Sequence, residues 1–273
     1  MSWRSNRLIK VSGGMLIGIV LLALIGPAIS PHEYQQTNFD KIFQAPGLSD
    51  FHLFGTDDLG RDLFVRTLLG VQITILVALV ASVVSLVIGV LYGAIAGLAG
   101  GRVDAVMMRF VDTLYALPFI FFVILLMVAF ERNFLLIFIA IGAVNWLDMA
   151  RIVRGQTLSL REREFVQAAE LTGVSFARII WRHITPNLIG VVVVYLTLTI
   201  PQAILVESFL SFLGLGIQEP QTSLGALVDA GVNQMEGASW MLLIPATLLA
   251  GILLCFNFLG DALRDLFDAR QSQ

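Results

Sequence analysis

The sequence predicts an all-α polytopic membrane protein with six transmembrane helices. Of its 273 residues, 57% are apolar and 14% are charged; a soluble domain runs at about 45–50% apolar and about 25% charged. Six apolar stretches, at 11–30, 71–97, 110–130, 134–150, 187–213 and 239–260, are near the roughly 20 residues a membrane-spanning helix needs. They are continuously apolar, carry glycine internally and lack period-two alternation, which is the pattern of helices and not of barrel strands. The lone Cys255 can form no internal disulfide.

The first stretch follows Arg4, Arg7 and Lys10, a pattern it shares with secretory signal peptides. Ala28 and Ser30 sit at cleavage spacing, but Pro31 would follow the cut and the run is long for a signal. It is read as a retained span. Residues 31–70, with Pro31 and Pro46, are read as an extracytoplasmic loop. In its Gly55-Thr56-Asp57-Asp58-Leu59-Gly60-Arg61-Asp62 run, Thr56 is expected to cap a helix whose first turn holds the aspartates. In the second span Gly89, Gly93 and Gly97 lie four apart, a spacing that lets another helix approach closely. The fourth stretch is short, so its helix is expected to be extended by its neighbours or tilted less.

Charge sets the orientation. With the N-terminus in the cytoplasm, thirteen of the 17 basic residues fall inside, and Lys41, Arg61, Arg66 and Arg132 fall outside. Lys and Arg near span ends favour the cytoplasm, so both termini are placed there. The chain then reads as a cytoplasmic N-terminus (1–10), a first helix (11–30), an outer loop (31–70), a five-helix core (71–260) and a cytoplasmic tail (261–273). The net charge of −3 and the absence of a basic run give no sign of nucleic acid.

The cytoplasmic segment 151–186 has six arginines and three glutamates, with Phe165, Val166, Ala168, Ala169 and Leu171 spaced among them. Gly173 breaks it, and a second helix is expected from a Ser175 cap towards Pro186. Two short amphipathic helices suit either a groove on a partner or the membrane surface. In the spans, ionisable residues are few. Asp112 and Asp148 lie near cytoplasmic ends, and Glu207 lies deeper, beyond Pro201. Glu207 either lines a polar path or is hydrogen-bonded to nearby backbone near the outer surface.

Catalytic patterns are absent. Lys10 follows Ile9 and Lys41 follows Asp40, so no Gly-Lys-Ser/Thr phosphate loop occurs. His32, His52 and His183 all fall outside the spans and form no His-Glu-x-x-His zinc motif. An enzyme is therefore not expected, nor a metal site.

Gln167-Ala168-Ala169-Glu170-Leu171-Thr172-Gly173, with Arg182-His183-Ile184-Thr185-Pro186 after it, resembles the cytoplasmic loop of bacterial ABC importer permeases. Gln167, His183 and Thr185 stand where that family usually has Glu, Ile and Leu. The Gly55–Asp62 run, Ser211-Phe212-Leu213-Gly214-Leu215-Gly216 and Leu259-Gly260-Asp261-Ala262-Leu263-Arg264-Asp265 are similar to the peptide and nickel permeases. Ala269 stands where a Pro is usual. Trp146–Leu160 is similar to the C-type subunit of oligopeptide permeases. The resemblance spans about residues 10–270.

That resemblance implies a type I ABC importer permease in the bacterial cytoplasmic membrane. It implies a homologous B-type permease, two ATPase subunits and an extracytoplasmic peptide-binding protein as partners. ATP and Mg²⁺ would belong to the ATPases, with no cofactor in this chain. Gln167, Ala168, Ala169, Glu170, Gly173, Arg182 and Pro186 would couple to the ATPases, and Glu207 and Pro201 are candidates for the translocation path. The rivals are a dipeptide or nickel permease of the same build, and an ion-driven carrier or channel working alone.

Overall fold

The computed structural model describes residues 3–48, 50–130 and 134–271. It is all-helical among the described residues. The chain runs through α1 (Trp3–Ile29), α2 (Leu63–Ala99), α3 (Gly101–Ala116), α4 (Phe119–Phe130), α5 (Phe134–Arg161), α6 (Glu164–Leu171), α7 (Phe176–Ile179), α8 (Thr185–Phe212), α9 (Leu224–Asn233) and α10 (Trp240–Gln271). Four helical stretches of the described residues are long and apolar enough to cross a membrane: Arg7–Ile29, Leu63–Ala99, Phe176–Phe212 and Trp240–Asp265.

The long helices differ from the sequence expectation at their ends. Helix α2 begins at Leu63, so the outer loop is shorter than 31–70. The expected third span, 110–130, is two helices: Leu117 is extended (φ −78°, ψ 127°) and Pro118 follows it, because a residue before proline is pushed out of the helical region. Residues 131–133, between the third and fourth stretches, lie outside the described residues. Helix α5 continues past 150 to Arg161, which takes up the start of the segment read as cytoplasmic. Likewise α10 carries the described part of the tail to Gln271 as one helix.

The glycine row does what its spacing predicts. A Cβ on Gly89 would lie 2.5 Å from the Met149 Cβ, one on Gly93 2.4 Å from the Ala150 carbonyl oxygen, and one on Gly97 2.7 Å from the Thr157 Cβ. Helix α5 therefore rests directly on the backbone of α2. At the foot of α2, Gly100 (φ +62°) and Gly101 (φ +54°) reverse the chain into α3, positions where a side chain is strained.

Two large apolar clusters divide the bundle. One joins α1, α2, α8 and α10 through Leu68, Val77, Ile204, Leu210, Ile252 and Cys255. The other lies at the opposite end, where Val90, Ala94, Met149 and Val153 of α2 and α5 meet Val166, Ala169, Ile179, Ile184 and Leu188. The short helices α6 and α7 are thus seated on the bundle. Helix α1 also belongs to it: Ala23 is buried, and its carbonyl accepts a 2.6 Å bond from Gln72. Around this core, Val11, Ile17, Leu24 and Leu243 remain exposed, which in a spanning helix is the lipid-facing side.

Candidate functional site

Helix α6 is two-faced. Val166 and Ala169 turn into the lower cluster, while Phe165, Gln167, Ala168, Glu170 and Leu171 are exposed, Leu171 at 89%. The helix ends in a tight backbone lock, with the Val174 N–H donating to the Ala169 carbonyl and the Gly173 N–H to the Glu170 carbonyl, both at 3.0 Å. Gly173 has φ +77°, as this C-terminal motif requires. Ser175 then takes the expected position before α7, but its side chain makes no capping bond.

Helix α7 does not stop at Pro186. It passes through a π-helical turn, Ile180–Ile184, into α8. Proline lacks an N–H and its ring crowds the carbonyl four residues back. The wider turn accommodates it: the Thr185 N–H bonds to the Ile180 carbonyl, five residues back. The expected second short helix is therefore the first turn of a continuous helix, Phe176–Phe212.

Of the residues singled out for coupling, Gln167, Ala168, Glu170, Gly173, Arg182 and Pro186 are exposed on this face. Ala169 is the correction: it faces this chain's own core, because α6 must bury one stripe there. The exposed apolar residues Leu171, Phe176 (45%) and Trp181 (62%) complete the face. Their signal lay in the sequence, as apolar residues of 151–186 beyond the stripe that Val166 and Ile179 bury. A cluster of exposed aromatic and aliphatic side chains rimmed by Arg178, Arg182 and Glu170 is the composition of a protein-docking surface.

At the other end of the bundle the Gly55–Asp62 motif forms a knot, not a helix start. Asp62, not Thr56, caps α2: its Oδ1 accepts the Val65 N–H at 2.8 Å. Thr56 instead donates to the Lys41 carbonyl and accepts from the Gln44 N–H at 2.8 Å, which ties the loop to itself. Asp57 is buried, and its Oδ1 accepts the Leu59 and Arg61 N–H groups at 2.9 Å each. Its Oδ2 takes the Arg61 Nε at 2.7 Å. Gly60 (φ +70°) is obligatory, since a Cβ there would sit 1.8 Å from the Asn38 carbonyl oxygen.

From this knot Arg61 reaches Glu219 at 2.8 Å, and Arg66 reaches it at 3.4 Å. The Arg66 Nε also lies 3.3 Å from Asp57, at an angle too oblique for a hydrogen bond. Burial works against the charge on Arg61, but Asp57 and Glu219 outweigh it and raise its pKa. Burial likewise pushes the nearby Tyr34 phenol up, against the pull of Arg66 and Arg61. Asp57, Arg61, Arg66 and Glu219 line a cavity of about 200 Å³. Glu219 was not foreseen; nothing local in sequence marks it as a partner of Arg66, 153 residues away.

His52 Nδ1 donates to Asp62 Oδ2 at 2.8 Å, and His32 Nε2 donates to the Asp50 carbonyl at 2.9 Å. Their ligand atoms and that of Asp62 lie within 4.8 Å of one another. The imidazoles, however, stack at 4.1 Å and 13°, so their in-plane lone pairs run side by side and do not converge on one ion. The arrangement fits a loop brace better than a metal centre.

Glu207 and Pro201, the candidates for the path, are both buried inside this chain. Glu207 accepts from Ser211 Oγ at 2.7 Å, and Ser211 Oγ lies 3.4 Å from Ser223 Oγ. Glu207 is fully buried, and through Ser211 it ties the end of α8 to the start of α9. Its partners are serine hydroxyls and not the backbone. The Ser211–Gly216 run closes α8 with the same lock as α6: the Leu215 N–H bonds to the Leu210 carbonyl at 2.8 Å, with Gly214 at φ +71°.

A bundle of membrane-length helices, with two short helices seated on one end and one face of them exposed, suits a membrane permease. Comparison with known proteins agrees. Residues 89–273 match the family described as the binding-protein-dependent transport system inner membrane component, and residues 2–46 the N-terminal transmembrane domain of oligopeptide transport permease C. The oligopeptide transport system permease protein OppC of Escherichia coli K12 is 52% identical over 97% of this chain and 88% of its own length. That of Bacillus subtilis is 42% identical over 98% and 87%, and the dipeptide permease DppC of the same species 41% over 98% and 85%. A chain of the inward-facing MetNI methionine ABC transporter shares the fold, with a TM-score of 0.57 at 16% identity over 72% of this chain and 94% of that one. The chain belongs to the binding-protein-dependent transport system inner membrane component family.

Proposed function

We propose that this chain is a permease subunit of an ATP-driven oligopeptide importer in the bacterial cytoplasmic (inner) membrane. The observation that carries the reading is the 52% identity to an oligopeptide permease over nearly the whole chain. The exposed face of α6 and α7 supports it, since an ion-driven carrier working alone has no need of a docking surface. The chain pairs with a homologous B-type permease to enclose the path. An extracytoplasmic peptide-binding protein delivers peptide, and two ATPases hold ATP and Mg²⁺ and do the hydrolysis. The chain itself is no enzyme and carries no cofactor.

Coupling follows from continuity. The ATPases grip Phe165, Ala168, Leu171, Phe176 and Trp181, and their closure displaces α6 and α7 together. Helix α7 runs without a break into α8, so a push at the docking face moves the rod that carries Glu207 at its far end. The lock at Gly173 holds the angle between α6 and that rod.

Deletion of this subunit is expected to abolish growth of an amino-acid auxotroph on tri- to pentapeptides while nickel uptake stays normal. Loss of dipeptide use alone would favour the dipeptide reading, for which the 41% identity to DppC speaks; loss of nickel uptake alone would sink both peptide readings. The proposed topology has six spans, both termini in the cytoplasm, the 31–70 and 213–238 segments outside, and 98–109, 151–186 and 261–273 inside. With Cys255 replaced, an impermeant thiol reagent added outside should label Cys at the exposed Ala45 and Gln221 and spare the exposed Ser159. Outside labelling at 159 would overturn the orientation.

A further inference from the structure

Three polar pairs climb the seam between α3 and α5. Lowest is Arg154, which holds Asp104 through two bonds of 2.5 and 2.6 Å. Next, Arg151 Nη2 donates to Asp112 at 2.8 Å, and its guanidinium carbon lies 4.2 Å over the Tyr115 ring. Highest, the Tyr115 hydroxyl donates to Asp148 at 2.5 Å. By the 1.5 Å rise of a helix, Asp148 stands about 20 Å along α5 from its Arg161 end. The first pair is largely buried, but Arg151 and Asp112 expose 42% and 59% of their side chains, and Tyr115 and Asp148 are exposed as well.

Facing lipid, each charged group here would cost several kcal/mol. They are not isolated. Tyr115 is also a wall of an open cavity of about 380 Å³, formed where Leu117 and Pro118 break the helix and α4 turns away. Leu117, Pro118, Phe122, Val144 and Trp146 make most of its lining, which is predominantly apolar. Val111, Trp146, Leu147 and Ala150 pack behind the ladder and fix α3 on α5. The result is an apolar hollow with a polar ladder at its cytoplasmic mouth, and the exposed part of that ladder carries two carboxylates against one guanidinium.

We infer that this hollow is a peptide subsite of the translocation path, with Asp148 receiving the peptide's ammonium terminus. The inference rests on the proposed function and supplies the path residues that Glu207 and Pro201 do not. An oligopeptide fits both halves of the site. Its side chains are taken by an apolar wall without a fitted pocket. Its cationic end matches the net negative ladder, where Asp148 has a neutral phenol as hydrogen-bond partner and so keeps acceptor capacity. The Arg151–Asp112 pair below it stands across the exit towards the cytoplasm.

The test uses the complete transporter (both permeases, the ATPases and the binding protein) in proteoliposomes, with tri-alanine as substrate. Asp148→Asn should lower tri-alanine uptake at least about tenfold, the effect of losing one charge-assisted hydrogen bond. Assembly and ATP hydrolysis should stay at the parent level, and Asp148→Glu should recover part of the uptake. With Cys255 replaced, Leu117→Cys should react with a charged maleimide and be protected by tri-alanine during turnover. Leu24→Cys, on the lipid side of α1, should not react. Normal uptake by Asp148→Asn, or a Leu117→Cys that is inert in the assembled transporter, would show that lipid or the second permease covers this face and would overturn the subsite. A parent transporter that takes up no tri-alanine while hydrolysing ATP would overturn the oligopeptide reading itself.

Discussion

Ala168→Asp is expected to strip the ATPases from the transporter while leaving the permease folded and in the membrane. Ala168 is exposed at the centre of the outward stripe of α6, so aspartate there disturbs nothing within the chain. In the docked complex the same carboxylate would be desolvated among apolar groups without a partner, at a cost of several kcal/mol. That is enough to weaken association by about a thousandfold. Copurification measures it directly: the second permease should remain and the ATPases should be lost. The neighbouring Ala169→Asp should behave differently, because that side chain faces the lower apolar cluster; it should reduce the amount of folded permease as well. If Ala168→Asp retained its ATPases and near-normal uptake, 151–186 would not be the docking element.

Gly173→Val separates docking from coupling. A Cβ at 173 meets nothing within 4 Å, so the penalty is conformational only, about 1–2 kcal/mol for holding a β-branched residue at positive φ. The lock on α6 loosens and the elbow between α6 and the α7–α8 rod loses its angle. The variant should keep its ATPases and hydrolyse ATP with little uptake. Gly173→Asn, which tolerates this backbone region, should transport near normally.

Gly93→Leu is expected to prevent assembly altogether. A side chain at 93 meets the Ala150 carbonyl oxygen at 2.4 Å and the Arg154 nitrogen at 2.9 Å. Both are backbone, which cannot swing aside. Helices α2 and α5 would have to part along the whole seam, which also unseats Gly89 from Met149 and Gly97 from Thr157. Overpacking by flexible side chains costs about 1–3 kcal/mol; against rigid backbone the cost lies at or above that range. The amount of intact complex recovered by size-exclusion chromatography should fall to near zero. Gly155→Leu is the control, since nothing lies within 4 Å of a Cβ at 155, and it should assemble normally. Recovery of intact Gly93→Leu complex would mean that the seam is looser than described.

Much of this molecule is written in short stretches of sequence. Apolar runs of membrane length, the glycine row of α2 and the positive φ at Gly173 depend on residues within a few positions of one another. Periodicity and turn chemistry reveal them without knowledge of the fold. The segment proposed to dock was legible for the same reason: the two-faced α6, the Gly173 break and the helix start after Ser175 are local features. The membrane class, the close α2 packing face and the elbow were therefore determined by the sequence itself.

Other features needed the tertiary structure, because their partners are far apart in the chain. Ala168 and Ala169 are the same residue side by side, and only the core beneath α6 decides which one is free to meet a partner. Pro186 looks like a helix stop, yet a π turn before it carries the helix on, since Ile179, Ile180, Ile184 and Leu188 all gain by burial in one cluster. Glu207 looks like a path residue, but the start of α9 folds over it. Asp57 and Arg66 take their meaning from Glu219, and Tyr115 from Asp148, across loops and helices that no local pattern links. Local rules choose where helices begin, break and turn; which side faces the core, lipid, water or partner is decided when the helices pack, because burial is a property of the assembled bundle and not of any segment.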